Sequence, residues 1–418
     1  MRCFTLLALF GLSIMTTSCE VDYDVFDQQV DDPLDNINNP LRFSDADYAV
    51  ISQELDVAQD IFMPLPKVPS HLSSDNIATE LSATQMRRAL LGRVLFYDTR
   101  ISATGETSCA SCHNQQHAFG DKFDVSKGIR GAHTTRNSFP LAAVPSFATA
   151  PTNPSLPVTG YYSPPPPNTD TETFAKFFWD GRADNIVVQA RETMSSPIEM
   201  GTNLDELAGK LRQEPLYRVL FRKAFRTEDI SSGHIISAIS DFMTTMSSTD
   251  SPFDEYRDMV EAGATQAALL REFTASEVRG GAIFEESCAN CHSKSGRQPP
   301  ISLANNGLDM VYADKGNGPV SGNASMNGAF KTAFLRNLPY SAPYMHDGRF
   351  QTLREVVDHY SEGVQNHPNL HRHLRNADGT PRNLQLSEAD KEALIDFLEM
   401  TADRTILTAD HLSDPFRE

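Results

Sequence analysis

Apolar residues in this chain recur mostly at helical spacing, and helix-start signals precede them. Met86, Leu90 and Val94 repeat every fourth residue and make one apolar face, the period of an amphipathic helix rather than of a strand. Ser82-x-x-Gln85 just ahead of them reads as a capping box, and Thr274-x-x-Glu277 opens a second helix in the same way. Both predicted helices then carry a related stretch, Gly92-Arg-Val-Leu-Phe96 and Gly280-Gly-Ala-Ile-Phe284. A later helix is predicted from Thr352-x-x-Glu355, and another near Ser387 with Leu394, Phe397 and Leu398. Strand-like alternation is scarce. The pattern predicts a mainly α fold with long loops, one of them marked by the proline run Pro164 to Pro167.

The N-terminal end follows a different pattern. Arg2 precedes an apolar stretch from Phe4 to Met15, too short to span a bilayer, as in an export signal. Thr16, Thr17 and Ser18 then lead to Cys19, which resembles a bacterial lipoprotein signal with the cysteine as lipid site. Thr16 stands where such signals usually have leucine, and ordinary signal cleavage or an uncleaved anchor are the alternatives. We take residues 1–18 as signal and 19–75 as an acidic, Asn- and Pro-rich tether. This places the protein in the bacterial periplasm, at a membrane surface by a lipid anchor only.

With 418 residues, 40% of them hydrophobic, the chain can fill two or three domains. Acidic residues outnumber basic ones by 55 to 36, a net charge of −19. That charge argues against a nucleic-acid partner, which needs a basic surface, and suits a basic protein partner or simple solubility.

Six cysteines are present. Cys3 lies in the signal and Cys19 is the lipid site. The other four form two clusters of one format, Cys109-Ala-Ser-Cys112-His113 and Cys288-Ala-Asn-Cys291-His292. C-x-x-C-H is the attachment motif of c-type haem. Its two thiols add to the haem vinyl groups, and the adjacent histidine is held under the ring as an axial ligand. A zinc site or a redox dithiol is the alternative, but zinc sites more often pair two C-x-x-C units without the fixed histidine. An Arg-Asn pair follows each cluster, Arg136-Asn137 and Arg336-Asn337. The two halves read as two haem domains related by duplication, residues 76–255 and 256–418.

Three segments then stand in order: LLGRVLFYDTRISATGETSCASCH, FFWDGRADNIVVQARETMSSPIEMG and FKTAFLRNLPYSAPYMHDGRFQTLREVVDHY. Together they resemble the bacterial di-haem cytochrome c peroxidase and MauG superfamily, over about residues 80 to 400. The resemblance implies two cytochrome-c-like domains with one haem c each. It also implies that the N-terminal haem handles peroxide while the C-terminal haem relays electrons. Trp179, in the W-D-G-R motif, would lie between the haems and assist electron transfer. Gln189 and Glu199 match the family's distal-pocket glutamine and glutamate. Splitting peroxide moves a proton from its inner to its outer oxygen, and a carboxyl can carry it.

The resemblance also assigns further ligands. His113 and His292 are the proximal ones. Ile129 falls where ordinary peroxidases carry a removable distal histidine, which implies an open sixth site on the first haem. His117 and His133 remain alternatives as distal ligands. Tyr360, 14 residues after His346, stands where ordinary peroxidases have methionine and MauG-type proteins have a tyrosine ligand. Such a hard anionic donor lowers the iron potential, and Tyr360 also shares a helical face with Leu353 and Val357, so a core tyrosine is the competing reading. Met345, Met326 and Met310 are fallback ligands. Asn137, Ser341 and Pro343 match a structural calcium site built from oxygen donors. His367, His371 and His373 read as a solvated loop rather than a metal site.

The expected activity is a peroxidase that reduces hydrogen peroxide with electrons from a small cytochrome c or cupredoxin. The alternatives are a MauG-like oxidase of Trp or Tyr side chains on a partner protein, and a non-catalytic di-haem electron carrier.

Overall fold

The computed structural model describes residues 41–72, 81–142, 176–294, 296 and 299–417. Cys3, Cys19 and the proline run lie outside them. The described chain is mainly helical: α1 (Asp45–Ile51), α2 (Ala83–Tyr97), α3 (Ile186–Ser195), α4 (Leu204–Leu211), α5 (Pro215–Phe225), α6 (Ser232–Thr244), α7 (Pro252–Glu261), α8 (Gln266–Glu272), α9 (Ala275–Ser287), α10 (Ala289–His292), α11 (Asn317–Ser321), α12 (Leu353–Asp358) and α13 (Glu388–Glu399). The predicted capping boxes at Ser82, Thr274 and Thr352 are all formed. A two-residue antiparallel hairpin, β1 (Leu303–Ala304) with β2 (Phe330–Lys331), pairs Leu303 with Lys331.

Two apolar cores organise these helices, and one crossing recurs in both. In the first, Gly92 of α2 meets α6 so closely that a Cβ would lie 1.9 Å from the Ala238 carbonyl oxygen. In the second, Gly280 of α9 meets α13, and a Cβ would again lie 1.9 Å from a carbonyl oxygen, that of Ala393. Four residues beyond each of these four positions stands a phenylalanine. The pairs touch in both cores: Phe96 and Phe242 at 5.3 Å, Phe284 and Phe397 at 5.4 Å. Only glycine lets two helices approach this closely. The shared Gly-x-x-x-Phe spacing is therefore a shared packing solution, as expected of a duplicated unit.

The tether reading fails for residues 41–72. Phe43, Ile51, Leu55, Ile61 and Met63 are buried in the first core, and His71 and Leu72 are buried as well. The Asp, Asn and Pro content hid an irregular apolar series that has neither helical nor strand period. Arg222 pairs with Asp47, and Asp258 accepts the backbone N–H of Ser70 at 3.1 Å and of His71 at 2.7 Å. This segment therefore fastens onto both cores.

The boundary expected at residue 255 also shifts. Phe253 at the start of α7 packs in the second core, against Phe397 at 5.7 Å. The C-terminal stretch returns to the first core through Ile406 and Leu412, and Leu55 bridges Phe416. Between the cores runs a buried ionic network: the Arg336 guanidinium holds Asp254 through contacts of 2.8 Å, and Asp254 also accepts from Ser251. Among the described residues, no helix is long and apolar enough to cross a membrane.

Candidate functional site

Both C-x-x-C-H motifs sit on short helical turns, each directly downstream of a crossing. Cys109 begins a 3-10 turn, and Cys291 and His292 lie on α10, which α9 runs into. None of the four sulfurs forms a disulfide, and all four residues are half-buried. Burial pushes the Cys109 and Cys288 thiols up to about 12. Each histidine is oriented through Nδ1 by a backbone carbonyl, His113 by Phe119 at 2.8 Å and His292 by Ala333 at 2.9 Å. A carbonyl accepts only from an N–H, so this fixes the tautomer and leaves Nε2 with its lone pair outward. That is the arrangement metal-bound histidines use. Burial lowers both imidazole pKa values, which favours the neutral, ligating form.

The second motif opens onto a cavity with roughly 1650 Å³ of empty space, part of it continuous with solvent. Cys288, Cys291 and His292 line it together with Trp179, Met345 and Tyr360. Thiols at the covalent spacing, an oriented imidazole and a large apolar hollow are the donor set and the space that a covalent haem requires, so the residues fit that group.

Tyr360 lies in a π-turn, His359–Gly363, which continues α12. Such turns insert one extra residue and redirect a side chain. Here the phenol lines the cavity and receives an N–H from Asn306 at 3.4 Å. Burial raises its pKa to about 12, and the Asn306 bond acts the other way. Met345 lines the same cavity, and its sulfur accepts from Asn306 at 3.6 Å. Met310 is 51% exposed on the surface, and Met326 does not reach the cavity lining. His371 and His373 line the cavity, whereas His367 is buried and bonded to Asn305. The expected solvated histidine loop is thus corrected: Asn305 and the Tyr312 ring draw it inward.

Around the first motif, Ile129 is 1% exposed. Its N–H donates to the Glu199 carbonyl at 3.1 Å, and a Cβ on Gly201 would lie 2.5 Å from its Cδ1. At Gly128 a Cβ would lie 1.7 Å from the Ile198 carbonyl, so glycine is required where the two loops touch. This contact holds the Glu199 loop beside the first motif, close enough for Glu199 to act electrostatically on Cys112. Burial raises the Glu199 pKa, opposed by Ser196 and Arg182. Gln189 lies on α3, one turn ahead of Glu192, which also acts on Glu199. His133 is exposed and His117 half-buried in a 3-10 turn.

Trp179 joins the two halves. Its indole Nε1 donates to the Asn137 carbonyl at 2.9 Å, and its ring packs on Phe139 at 4.5 Å. The Trp179 carbonyl accepts from the Lys331 N–H at 2.7 Å. The neighbouring Asp180 binds Arg136 at 2.7 Å, and Arg136 reaches on to Asp314. Asn137, Ser341 and Pro343 all line the cavity, and the Asn137 side chain donates to the Phe123 carbonyl. Sequence reasoning did not single out Asn306 or Lys331. Burial lowers Lys331 to about 7. Neither residue belongs to a motif, and only the fold brings them to the cavity.

Residues 86–261 match the di-haem cytochrome c peroxidase family. The methylamine utilization protein MauG of Methylorubrum extorquens is 32% identical over 318 residues, covering 75% of this chain and 77% of that protein. Cytochrome-c peroxidase IdrP2 of a Pseudomonas species is 28% identical over 340 residues, covering 74% of this chain and 79% of its own length. Among solved structures, a MauG-like protein associated with microbial copper homeostasis superposes with a TM-score of 0.64 at 27% identity. The match covers 86% of this chain and 98% of that one.

Proposed function

The chain belongs to the di-haem cytochrome c peroxidase and MauG family and is an oxidoreductase of that type; from this premise we propose that it reduces hydrogen peroxide at its first motif with electrons relayed from its second. The observation that carries the reading is the asymmetry between the two motifs. The first has a half-buried carboxyl beside it, its pKa raised by desolvation, and an isoleucine where a ligand would stand. The second has a phenol on its cavity wall.

Two haem c groups, bound by Cys109, Cys112 and His113 and by Cys288, Cys291 and His292, would supply the redox iron. Glu199 takes a proton from the inner peroxide oxygen and returns it to the outer one, a role that its raised pKa suits. Gln189 orients the peroxide from α3. Ile129 presents only carbon and cannot close the site. Trp179, held through its N–H, passes single electrons between the halves. Tyr360 would ligate the second iron, and Asn137, Ser341 and Pro343 would hold a calcium ion through oxygen atoms. The protein works in the periplasm, anchored through Cys19, and draws electrons from a small cytochrome c or cupredoxin.

A second reading is a MauG-like oxidase of Trp or Tyr side chains on a partner protein. The placement of Tyr360 on the cavity wall favours it, as does the identity to a MauG protein. Ferric EPR of the holoprotein, followed by stoichiometric peroxide without reductant, tests both. Mixed high- and low-spin signals that react at once support an open first site. Two low-spin signals inert until partial reduction would mean that His117, His133 or another ligand closes it. If reduction also failed to open a site, the protein would be an electron carrier.

A further inference from the structure

Lys331 is placed by two independent sets of contacts. Its N–H donates to the Trp179 carbonyl at 2.7 Å, which fixes its Cα beside the indole residue. Its side chain runs over aromatic faces, with Nζ 4.8 Å from the Phe139 ring centroid and 5.1 Å from that of Phe177. A cation is attracted to such faces by their negative quadrupole. Phe139 packs in turn on Trp179 at 4.5 Å, so the ammonium lies within about 10 Å of the indole ring. Lys331, Phe139 and Trp179 all line the second cavity. Asp180, next to Trp179, is engaged by Arg136 and Arg182, and Asp314 by Arg136.

We infer that the Lys331 ammonium sets how readily Trp179 gives up an electron, and so controls transfer between the two halves. This rests on Trp179 carrying electrons, as proposed above. In each transfer the indole gives one electron toward the first site and takes one from the second. Hydrogen peroxide is the final oxidant and the donor protein the final reductant. The indole N–H is held by a backbone carbonyl, which is not a base, so no proton leaves and the oxidised ring stays positive. A second positive charge about 10 Å away opposes that state roughly tenfold in equilibrium at an effective dielectric of about 20. The same charge disfavours the more oxidised, more positive state of a redox centre in the second cavity.

The test uses the full di-haem protein at about pH 6, where the amine is charged. Lys331→Met removes the charge with a side chain one atom shorter, Lys331→Gln does so with a polar end, and Lys331→Arg keeps the charge. In the Met and Gln variants the second-haem midpoint potential should fall and inter-haem electron transfer after peroxide should quicken roughly tenfold. Arg should restore both. Neutral variants with the wild-type midpoint and transfer rate would overturn the inference. So would an Arg variant shifted like the Met one, because the effect would then be packing. If the wild type ignores peroxide, the functional reading fails instead, and the midpoint comparison, which needs no peroxide, still decides Lys331.

Discussion

Replacing Gly280 by alanine probes the crossing that both cores share. The new Cβ would stand 1.9 Å from the Ala393 oxygen and 2.7 Å from both its carbonyl carbon and the Phe397 Cβ. Helix α13 meets it with backbone, which cannot rotate aside, so the helices must part by about 1 Å in an interior with little free space. Separation would loosen Phe397 from Phe253, Tyr256 and Phe284 together. Overpacking of this kind costs about 3 kcal/mol. Alanine returns about 1 kcal/mol through its better helix propensity, leaving a net loss of about 2 kcal/mol. Denaturant unfolding of the holoprotein, followed by far-UV circular dichroism and haem absorbance, reads the change. Gly92→Ala should behave alike in the first core. A midpoint that rises in either variant would show helix propensity to be the larger effect and refute the close-packing argument.

Glu199→Gln keeps the shape of the side chain but not its proton transfer, so peroxide activation should slow about 10²- to 10⁴-fold with both haems attached. In the wild type, stopped-flow rates should fall as pH drops through the Glu199 pKa, since only the carboxylate can take the proton. Because burial raises that pKa, the limb should lie above the range of an ordinary glutamate. A pH-independent rate, equal in both proteins, would remove Glu199 from the mechanism. Tyr360→Phe should change the low-spin EPR signal of the second haem and leave the first untouched; identical spectra would make Tyr360 a wall residue only. Arg336→Met strands the buried Asp254 carboxylate and should cost about 3–5 kcal/mol of stability, with partial recovery on adding Asp254→Leu. Equal losses in the single and double variants would refute the stranded-charge account.

The sequence made some parts of this molecule legible because their physics is local. Capping boxes close within three residues, and the four-residue period of α2 needs no partner to be read. The Gly-x-x-x-Phe stretches were visible, but not their meaning: each glycine answers to a carbonyl more than a hundred residues away, Ala238 for Gly92 and Ala393 for Gly280. Residues 41–72 were misread for a related reason. Phe43, Ile51, Leu55 and Ile61 have no regular spacing, because an irregular strap follows the surface it covers rather than a helical period. His367 was misplaced because Asn305, its partner, is distant in sequence.

The same contrast separates the two candidate sites. His113 is oriented by Phe119, six residues on, so a short loop supplies both ligand and support. His292 waits for Ala333, 41 residues on, and that distance is spent on the hairpin and on the loop bearing Asn306. The long excursion brings Lys331 to Trp179 and Asn306 to Tyr360. The first site takes the support of its histidine from a nearby loop, although Glu199 comes to it from 86 residues beyond His113. The second gathers its wall from distant segments, and those segments also hold the tryptophan that connects the halves. Under the proposed function, a tight loop would suit a first site that admits only a small oxidant. A wall built from distant segments would likewise suit a second site proposed to pass electrons, because every added contact to Trp179 would be a further means of setting its energy.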